Sequence, residues 1–306
     1  MKALIATGQR EAAVAFTDIS MPRPQPGESL VKVEAFSVNR GEIFLLENSR
    51  AGARPGKDIA GVVVQAAAHG AGPMAGQRVV GHPEAGGWAE YVAVPVSSMT
   101  PIPDRVPAVQ AAALPLAGLT ALRLLRTVGD IAGRRILLTG ASGGVGHYFT
   151  ELAANAGAEV TAVTSSAERG QQLIRLGAVA VIHDIAAADG PFHVVLESTG
   201  GENLPLALDR LTHRGTLIWF GQASRCPATL SFFDIRDGPG SVTIRQFSYY
   251  DFDTPYGEDL AILVRLVTTG RLHPEIGRLA DWSDTATTLT DLYQRRIRGN
   301  AVLTIS

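Results

Sequence analysis

Cysteine is nearly missing from this chain of 306 residues, which has one, Cys226. A single thiol excludes an internal disulfide and every zinc site built from several cysteines. It stands in Ser224-Arg225-Cys226-Pro227-Ala228, a loop-like stretch without a histidine placed to activate a nucleophile, and reads as an incidental thiol. Charge of one sign is lacking as well: 27 Lys and Arg face 29 Asp and Glu, a net charge of −2, scattered along the chain. Nucleic-acid binding needs clustered cations to neutralise phosphates, and an anionic membrane surface needs a polybasic patch; neither is present. No apolar run approaches the ~18 residues of a membrane span. Residues 1–16 lack the long apolar core and small-residue cleavage site of a secretory signal. The expectation is a soluble, cytoplasmic protein.

What is present suits a substantial core: 46% hydrophobic and 18% charged residues, in a length comfortable for two domains. The first hundred residues read as short strands and turns. Residues 30–38, LVKVEAFSV, alternate apolar and polar, and IAGVVVQAA, QRVVG and WAEYVAVP follow between Gly and Pro punctuation. Many short strands of this kind predict a barrel or sandwich. The character changes near Pro115. LAGLTALRLLRTVG has helical spacing and a Gly129 stop, and strict strand–helix alternation begins: RRILLT, a glycine-opened helix with Val145, Phe149, Leu152 and Ala156 on one face, EVTAVTSS, AERGQQLIRLG, AVAVI, HVVLES, TLIWFG and SVTIRQFS. That alternation predicts a parallel sheet covered on both faces. Residues 257–270 form another amphipathic helix, and the closing AVLTI reads as a strand that could return to the first domain.

The strongest chemical signal is Gly140-Ala141-Ser142-Gly143-Gly144-Val145-Gly146 between a strand and a helix. Glycine allows a sharp turn and a close backbone approach to a pyrophosphate, with the helix N-terminus supplying N–H groups and a positive dipole end. The run matches G-x-G-x-x-G with Ala141 in the first place, and its βαβ setting makes the match specific. Gly140, Ser142, Gly143, Gly144, Val145 and Gly146 are therefore expected at a dinucleotide. The next strand ends Val163-Thr164-Ser165-Ser166 without the carboxylate an NAD site places there; Glu159 comes too early and Glu168 lies in the following helix. Thr164, Ser165 and Ser166, with Arg169 shortly after, can instead donate to a 2′-phosphate, which predicts NADPH over NADH.

Taken together, PRPQPGESLVKVEAFSVNRGE, PGKDIAGVV, GGWAEYVAVP, ALPLAGLTAL, ILLTGASGGVG and RRIRGNAVLTI resemble the medium-chain dehydrogenase/reductase superfamily, in its zinc-independent, quinone-oxidoreductase-like branch. The resemblance covers nearly the whole chain. It implies a doubly wound parallel α/β Rossmann domain over residues 116–270, inserted into a GroES-like β-barrel domain of residues 1–115 and 271–306. It also implies a homodimer, commonly paired through the Rossmann sheet edges. Zinc-dependent relatives place a metal-binding cysteine where this chain has Val38-Asn39-Arg40, and a Gly-His-Glu segment where it has Gly56-Lys57-Asp58. The seven histidines, at 69, 82, 147, 183, 193, 213 and 273, show no ligand-like pairing; His82 and His147 are assigned no role.

By position, Asn39 resembles the family's cofactor-facing asparagine near the nicotinamide ribose, and Thr120 the threonine at the nicotinamide end. Ser198 and Thr199, with Gly200, and Phe220 with Gly221, match segments that line the cofactor cleft beyond two strand ends. Asn300 stands where relatives often have a cofactor-contacting lysine or a neighbouring arginine. Phe44 takes the place of a frequent pocket tyrosine, and the connection 181–191 is short where relatives have a longer helix-bearing segment.

Without zinc no Lewis acid polarises a carbonyl, so the expected acceptor is conjugated and electron-poor, a quinone or an α,β-unsaturated carbonyl compound. No compelling proton donor is visible. Asn39, Phe44 and Tyr249 are pocket candidates, and Trp88, Phe44 and Phe220 could form an aromatic wall. Quinone and enone remain unseparated, and a non-catalytic NADPH-binding sensor or structural protein that retains the fold is the alternative.

Overall fold

In the computed structural model, which describes residues 1–9 and 13–306, the alternating stretch around residues 30–38 is part of an 11-residue strand. Packing divides the chain into a unit of residues 1–119 and 253–306 and a second unit of residues 120–252.

The first unit opens with an antiparallel pair, β1 (Lys2–Ala6) and β2 (Val14–Asp18). It continues with β3 (Glu28–Val38), helix α1 (Arg40–Glu47), β4 (Ile59–Gln65), β5 (Arg78–Gly81), β6 (Tyr91–Pro95), β7 (Met99–Pro101), α2 (Ala108–Ala112) and the start of α3 (Pro115–Val128). The second unit takes the rest of α3, then β8 (Arg135–Leu138), α4 (Gly144–Asn155), β9 (Glu159–Val163), α5 (Ala167–Arg175), β10 (Ala180–Ile182), β11 (Phe192–Glu197), α6 (Asn203–Asp209), β12 (Leu211–Trp219), α7 (Phe232–Asp237) and β13 (Thr243–Gln246). The chain then returns to the first unit with α8 (Tyr256–Thr268), β14 (Ile276–Asp281), α9 (Thr285–Tyr293) and β15 (Asn300–Thr304).

In the first unit the sheet order is β14-β15-β3-β4-β5-β7, with β6 also paired to β3. The closing strand β15 runs antiparallel to β3, with Leu303 opposite Phe36 and Val302 opposite Ser37. The alternation along β3 turns Val31 and Val33 into a core shared with Val63, Trp88 and Leu303, and the irregularity in its pairing with β4 between Val33 and Ala35 brings Phe36 into the same core. Phe36 stacks on Trp88 at 5.6 Å between ring centroids, and the Trp88 indole N–H donates to the Ser37 carbonyl. Each such side chain contributes about 1.5–3 kcal/mol through burial. This is the GroES-like part.

In the second unit six strands are all parallel in the order β10-β9-β8-β11-β12-β13. Numbered from β8, this is the 3-2-1-4-5-6 order of a Rossmann sheet, and the order reverses between β8 and β11. Leu137, Phe192, Val195, Leu208 and Leu217 anchor the core on one face. Of the expected apolar face of α4, Phe149 and Leu152 are buried, whereas Val145 is half-buried and Ala156 is exposed just beyond the helix; residues 146–153 are buried all round, because the helix is covered on more than one side.

Two features differ from the sequence reading. Helix α8, placed there within 116–270, packs against β7 and the turn at Val96–Ser98 and belongs by its contacts to the GroES-like unit. The region after it forms β14 and α9 before the closing strand. The short connection after β10 holds one turn of 3₁₀ helix, Ile185–Ala187, capped by the Asp184 carboxylate accepting the Ala186 N–H.

Candidate functional site

The glycine turn lies at the carboxyl end of β8, beside the reversal point of the sheet, where a parallel α/β sheet offers a ligand crevice. Gly146 packs so tightly that a Cβ there would lie 2.4 Å from the Ala141 carbonyl oxygen. Gly140 has φ +62°, and its Cβ would meet the Ser198 hydroxyl at 2.5 Å. These two positions admit only glycine. Gly143 caps α4, and the first turn of the helix, Gly144, Val145 and Gly146, presents N–H groups of the kind that bind phosphate. His147 is buried, with Nδ1 3.0 Å from the Gly143 carbonyl.

The end of β9 brings in a cation. The Ser166 hydroxyl accepts the Arg169 N–H and caps α5, which starts the helix and fixes where Arg169 leaves it. The Arg169 Nε–H then donates to the Ser142 hydroxyl at 3.1 Å, across from α5 to the glycine turn. Thr164 is buried and donates to the Ser166 carbonyl, whereas Ser165 is exposed. A guanidinium, hydroxyls and a helix N-terminus thus gather without a carboxylate in the place of the NAD-type acid.

Across the reversal point, the buried Glu197 at the end of β11 is a hub. One carboxylate oxygen accepts the Thr139 hydroxyl at 3.0 Å, the Thr199 N–H at 2.8 Å and the Thr199 hydroxyl; the other accepts the Gly200 N–H at 2.9 Å. Ser198 donates its N–H to the Thr139 hydroxyl and its own hydroxyl to the Thr139 carbonyl. Phe220 donates its N–H to the Glu197 carbonyl, and the Gly221 carbonyl accepts the Trp219 indole N–H. Both expected strand-end segments, 198–199 and 220–221, therefore lie by the glycine turn. Thr120 is buried in α3. Tyr249 is half-buried; its carbonyl accepts Arg123 at 2.6 Å and its ring lies 4.0 Å from that of Tyr250.

In the GroES-like unit, Asn39 lies between two buried acids. Its side-chain NH₂ donates to Asp58 at 2.7 Å and to the Ser37 hydroxyl at 3.0 Å, and its backbone N–H donates to Glu42 at 2.7 Å. Asp58 also accepts the Ser37 hydroxyl, the Leu116 N–H and, with the proton assigned to Nδ1, buried His82 at 2.9 Å. Burial pushes the Glu42 carboxyl up to about 8, with neighbouring Asp58 adding to the shift and the N–H donors of Asn39 and Lys57 opposing it. Phe44 is half-buried in α1. Asn300 is buried, and its side-chain NH₂ donates to the Glu275 carbonyl. Among the described residues no three His, Cys, Asp or Glu side chains gather into a metal-binding group. Among the described residues no helix is long and apolar enough to cross a membrane.

Sequence reasoning missed Glu197, Glu42 and the Asp58–His82 pair. Only Glu42 left a signal, the Asn-x-x-Glu spacing of a helix start.

The chain matches the Alcohol dehydrogenase GroES-like domain family over residues 25–104 and the Zinc-binding dehydrogenase family over residues 144–267. A chloroplast envelope quinone oxidoreductase homolog of Arabidopsis thaliana is 36% identical over 57% of this chain and 58% of its own length. Prostaglandin reductase-3 of Bos taurus is 31% identical over 70% of this chain and 60% of its own, so the chain spans less than two thirds of both proteins. Quinone oxidoreductase of Pongo abelii is 30% identical over 67% of this chain and 68% of its own. Among solved structures, a mycobacterial protein complexed with NADPH superposes with a TM-score of 0.90 at 26% identity, covering 99% of this chain and 100% of that one. Escherichia coli quinone oxidoreductase complexed with NADPH shares the fold, with a TM-score of 0.89 at 22% identity over 99% and 100% of the two chains. With the Rossmann strand order, the glycine turn and these matches, the chain belongs to the medium-chain dehydrogenase/reductase superfamily, in its quinone-oxidoreductase-like branch.

Proposed function

We propose that the protein is an NADPH-dependent oxidoreductase that reduces quinones or α,β-unsaturated carbonyl compounds by hydride transfer without zinc. The observation that best supports the reading is the donation of Arg169 Nε–H to Ser142 at 3.1 Å, a cation beside the glycine turn of the kind that suits a 2′-phosphate. The relatives named quinone oxidoreductase and prostaglandin reductase, and the NADPH in the mycobacterial structure, support the same class.

The dinucleotide, when bound, supplies the hydride. The chain's part is to hold and orient it. The N–H groups of residues 143–146 suit the pyrophosphate, and Arg169 with Ser142, Ser165 and Ser166 suits the 2′-phosphate. Thr120, Ser198, Thr199, Phe220, Gly221, Asn300 and Asn39, its amide fixed by Asp58, are proposed as further cofactor contacts. Phe44 offers an apolar surface where relatives have a hydroxyl, so the proton for the reduced acceptor is proposed to come from water.

The zinc-free reading rests on donor chemistry: Asn39 and Lys57 stand where the zinc-dependent relatives place ligands, and His82 is engaged by Asp58. A homodimer paired through β13, a sheet-edge strand exposed along all four residues, and a cytoplasmic location complete the proposal. The test is NADPH absorbance loss with a panel of quinones and enones. Saturable consumption with at least one of them is expected. Tight NADPH binding with no consumption across the panel would overturn the reading in favour of a sensor, and one firmly held zinc per chain would overturn the zinc-free part.

A further inference from the structure

Asp58, in the GroES-like unit, is a buried carboxylate with its acceptor sites in full use. Oδ1 accepts the His82 Nδ1–H at 2.9 Å and the Leu116 N–H at 3.0 Å. Oδ2 accepts the Ser37 hydroxyl at 2.5 Å and an Asn39 side-chain N–H at 2.7 Å. A carboxylate has about four lone-pair sites, and these donors fill them. The donors are themselves fixed. The His82 ring stands edge-on to that of Tyr256, with 4.9 Å between centroids, and its backbone N–H donates to the Ser98 carbonyl. Ser37 lies in β3 opposite Val302, and its N–H donates to the Asp58 carbonyl at 3.4 Å.

Around this carboxylate the direction of each hydrogen bond is forced. A carboxylate only accepts, so the Ser37 proton points at Asp58 Oδ2 and the Ser37 oxygen is left to accept. Asn39 meets both, its side-chain nitrogen 2.7 Å from Asp58 Oδ2 and 3.0 Å from the Ser37 oxygen. Turning the amide over would set its oxygen against two oxygens with no proton to offer, so the network itself assigns which end is nitrogen. Both amide hydrogens are therefore spent inside the chain. The carbonyl oxygen remains, with two lone pairs, of which the capping of α1 engages one at most. Asn39 is half-buried at the start of α1, where its backbone N–H is held by Glu42 at 2.7 Å.

We propose that Asp58, braced by His82, Ser37 and the Leu116 N–H, is a positioning residue that sets the polarity of Asn39: the amide meets its ligand as an acceptor only, and the ligand group it meets is a hydroxyl. A quinone or enone presents carbonyl oxygens, which cannot donate, so Asn39 neither binds nor polarises the hydride acceptor. A ribose presents hydroxyls. The fixed polarity is a property of the free chain, whereas assigning the hydroxyl to the nicotinamide ribose of NADPH rests on the cofactor reading above.

The experiment has two readouts on the full chain. In the isotope-labelled protein without NADPH, the NMR signals of the Asn39 side-chain N–H₂ pair are expected to exchange with water at least roughly tenfold more slowly than those of an exposed asparagine. Asp58→Asn is the isosteric reversal. Its oxygen can keep His82 and Leu116 while its N–H₂ stands in for Oδ2, so that Ser37 and Asn39 turn over and the Asn39 pair exchanges fast. The second readout is the Kd of NADPH against analogues carrying fluorine in place of the 2′- or the 3′-hydroxyl of the nicotinamide ribose. The wild type should bind one of the two about tenfold more weakly than NADPH, and Asp58→Asn should shrink that gap to about threefold or less. A fast-exchanging Asn39 pair in the wild type would overturn the fixed polarity, and equal affinity for NADPH and both analogues would overturn the ribose; both are read on the unaltered chain. A pair that stays protected in folded Asp58→Asn would remove Asp58 from the role. Failure of NADPH itself to bind would overturn the cofactor reading, and the ribose with it, while the Asn39 pair stayed protected.

Discussion

At the head of β8 the Rossmann unit is shaped by what a side chain would strike, the Ala141 carbonyl 2.4 Å from any Cβ on Gly146; around Asp58 the GroES-like unit is shaped by donors that converge on one buried carboxylate. The first site is made of backbone. It is indifferent to protonation and intolerant of added atoms. The second is made mostly of side chains, from the end of β3, the residue before β4 and the segment after β5, with one backbone N–H from α3. It tolerates added volume poorly too, but its weak point is charge: remove one acceptor and several donors are stranded. Two polar sites in one chain thus fail in different ways.

The comparison can be broken most forcefully at Asp58. Asp58→Ala leaves Ser37, Asn39, His82 and the Leu116 N–H without their shared acceptor and should lower stability by about 4 kcal/mol in urea unfolding. A loss below about 1 kcal/mol would mean that water replaces the carboxylate and that the site is not organised by it. Next comes Gly146→Val. NADPH affinity should fall roughly 100-fold, about 3 kcal/mol, with the GroES-like unit still folded by near-ultraviolet circular dichroism. An unchanged Kd would show that the turn has room for a side chain. The smallest effect, and the sharpest, is expected of Arg169→Ala: roughly 30-fold weaker NADPH, about 2 kcal/mol, with NADH nearly unaffected. Equal weakening of both cofactors would remove Arg169 from the 2′-phosphate.

Which parts were legible in the sequence follows from the same contrast. The glycine turn is local: seven consecutive residues, a strand before them and a helix after, so that composition and order suffice. The terminal strand pairing was legible because Ala301, Val302 and Leu303 could only be buried by returning to a sheet. The Asp58–His82 pair was not, because 24 residues and a strand separate two side chains that meet only after β4 and β5 pair. Glu197 ends an apolar strand, where an acid reads as an ordinary exposed terminus; its burial depends on Thr139, 58 residues earlier, arriving beside it. Helix α8 has the periodicity of any amphipathic helix, and periodicity states that a face is covered without stating by which sheet.

Glu197 has a consequence for the kinetics of ligand capture. A loop that must be ordered on arrival of its ligand charges that ordering against affinity and slows productive encounter. Here Thr139, Thr199 and Gly200 are already held by a single carboxylate, and Ser198 is tied to Thr139 on both its N–H and its hydroxyl. The crevice at the strand reversal is therefore set before anything enters it, and association there should behave as docking onto a rigid surface, with a small entropic cost and little dependence on loop motion.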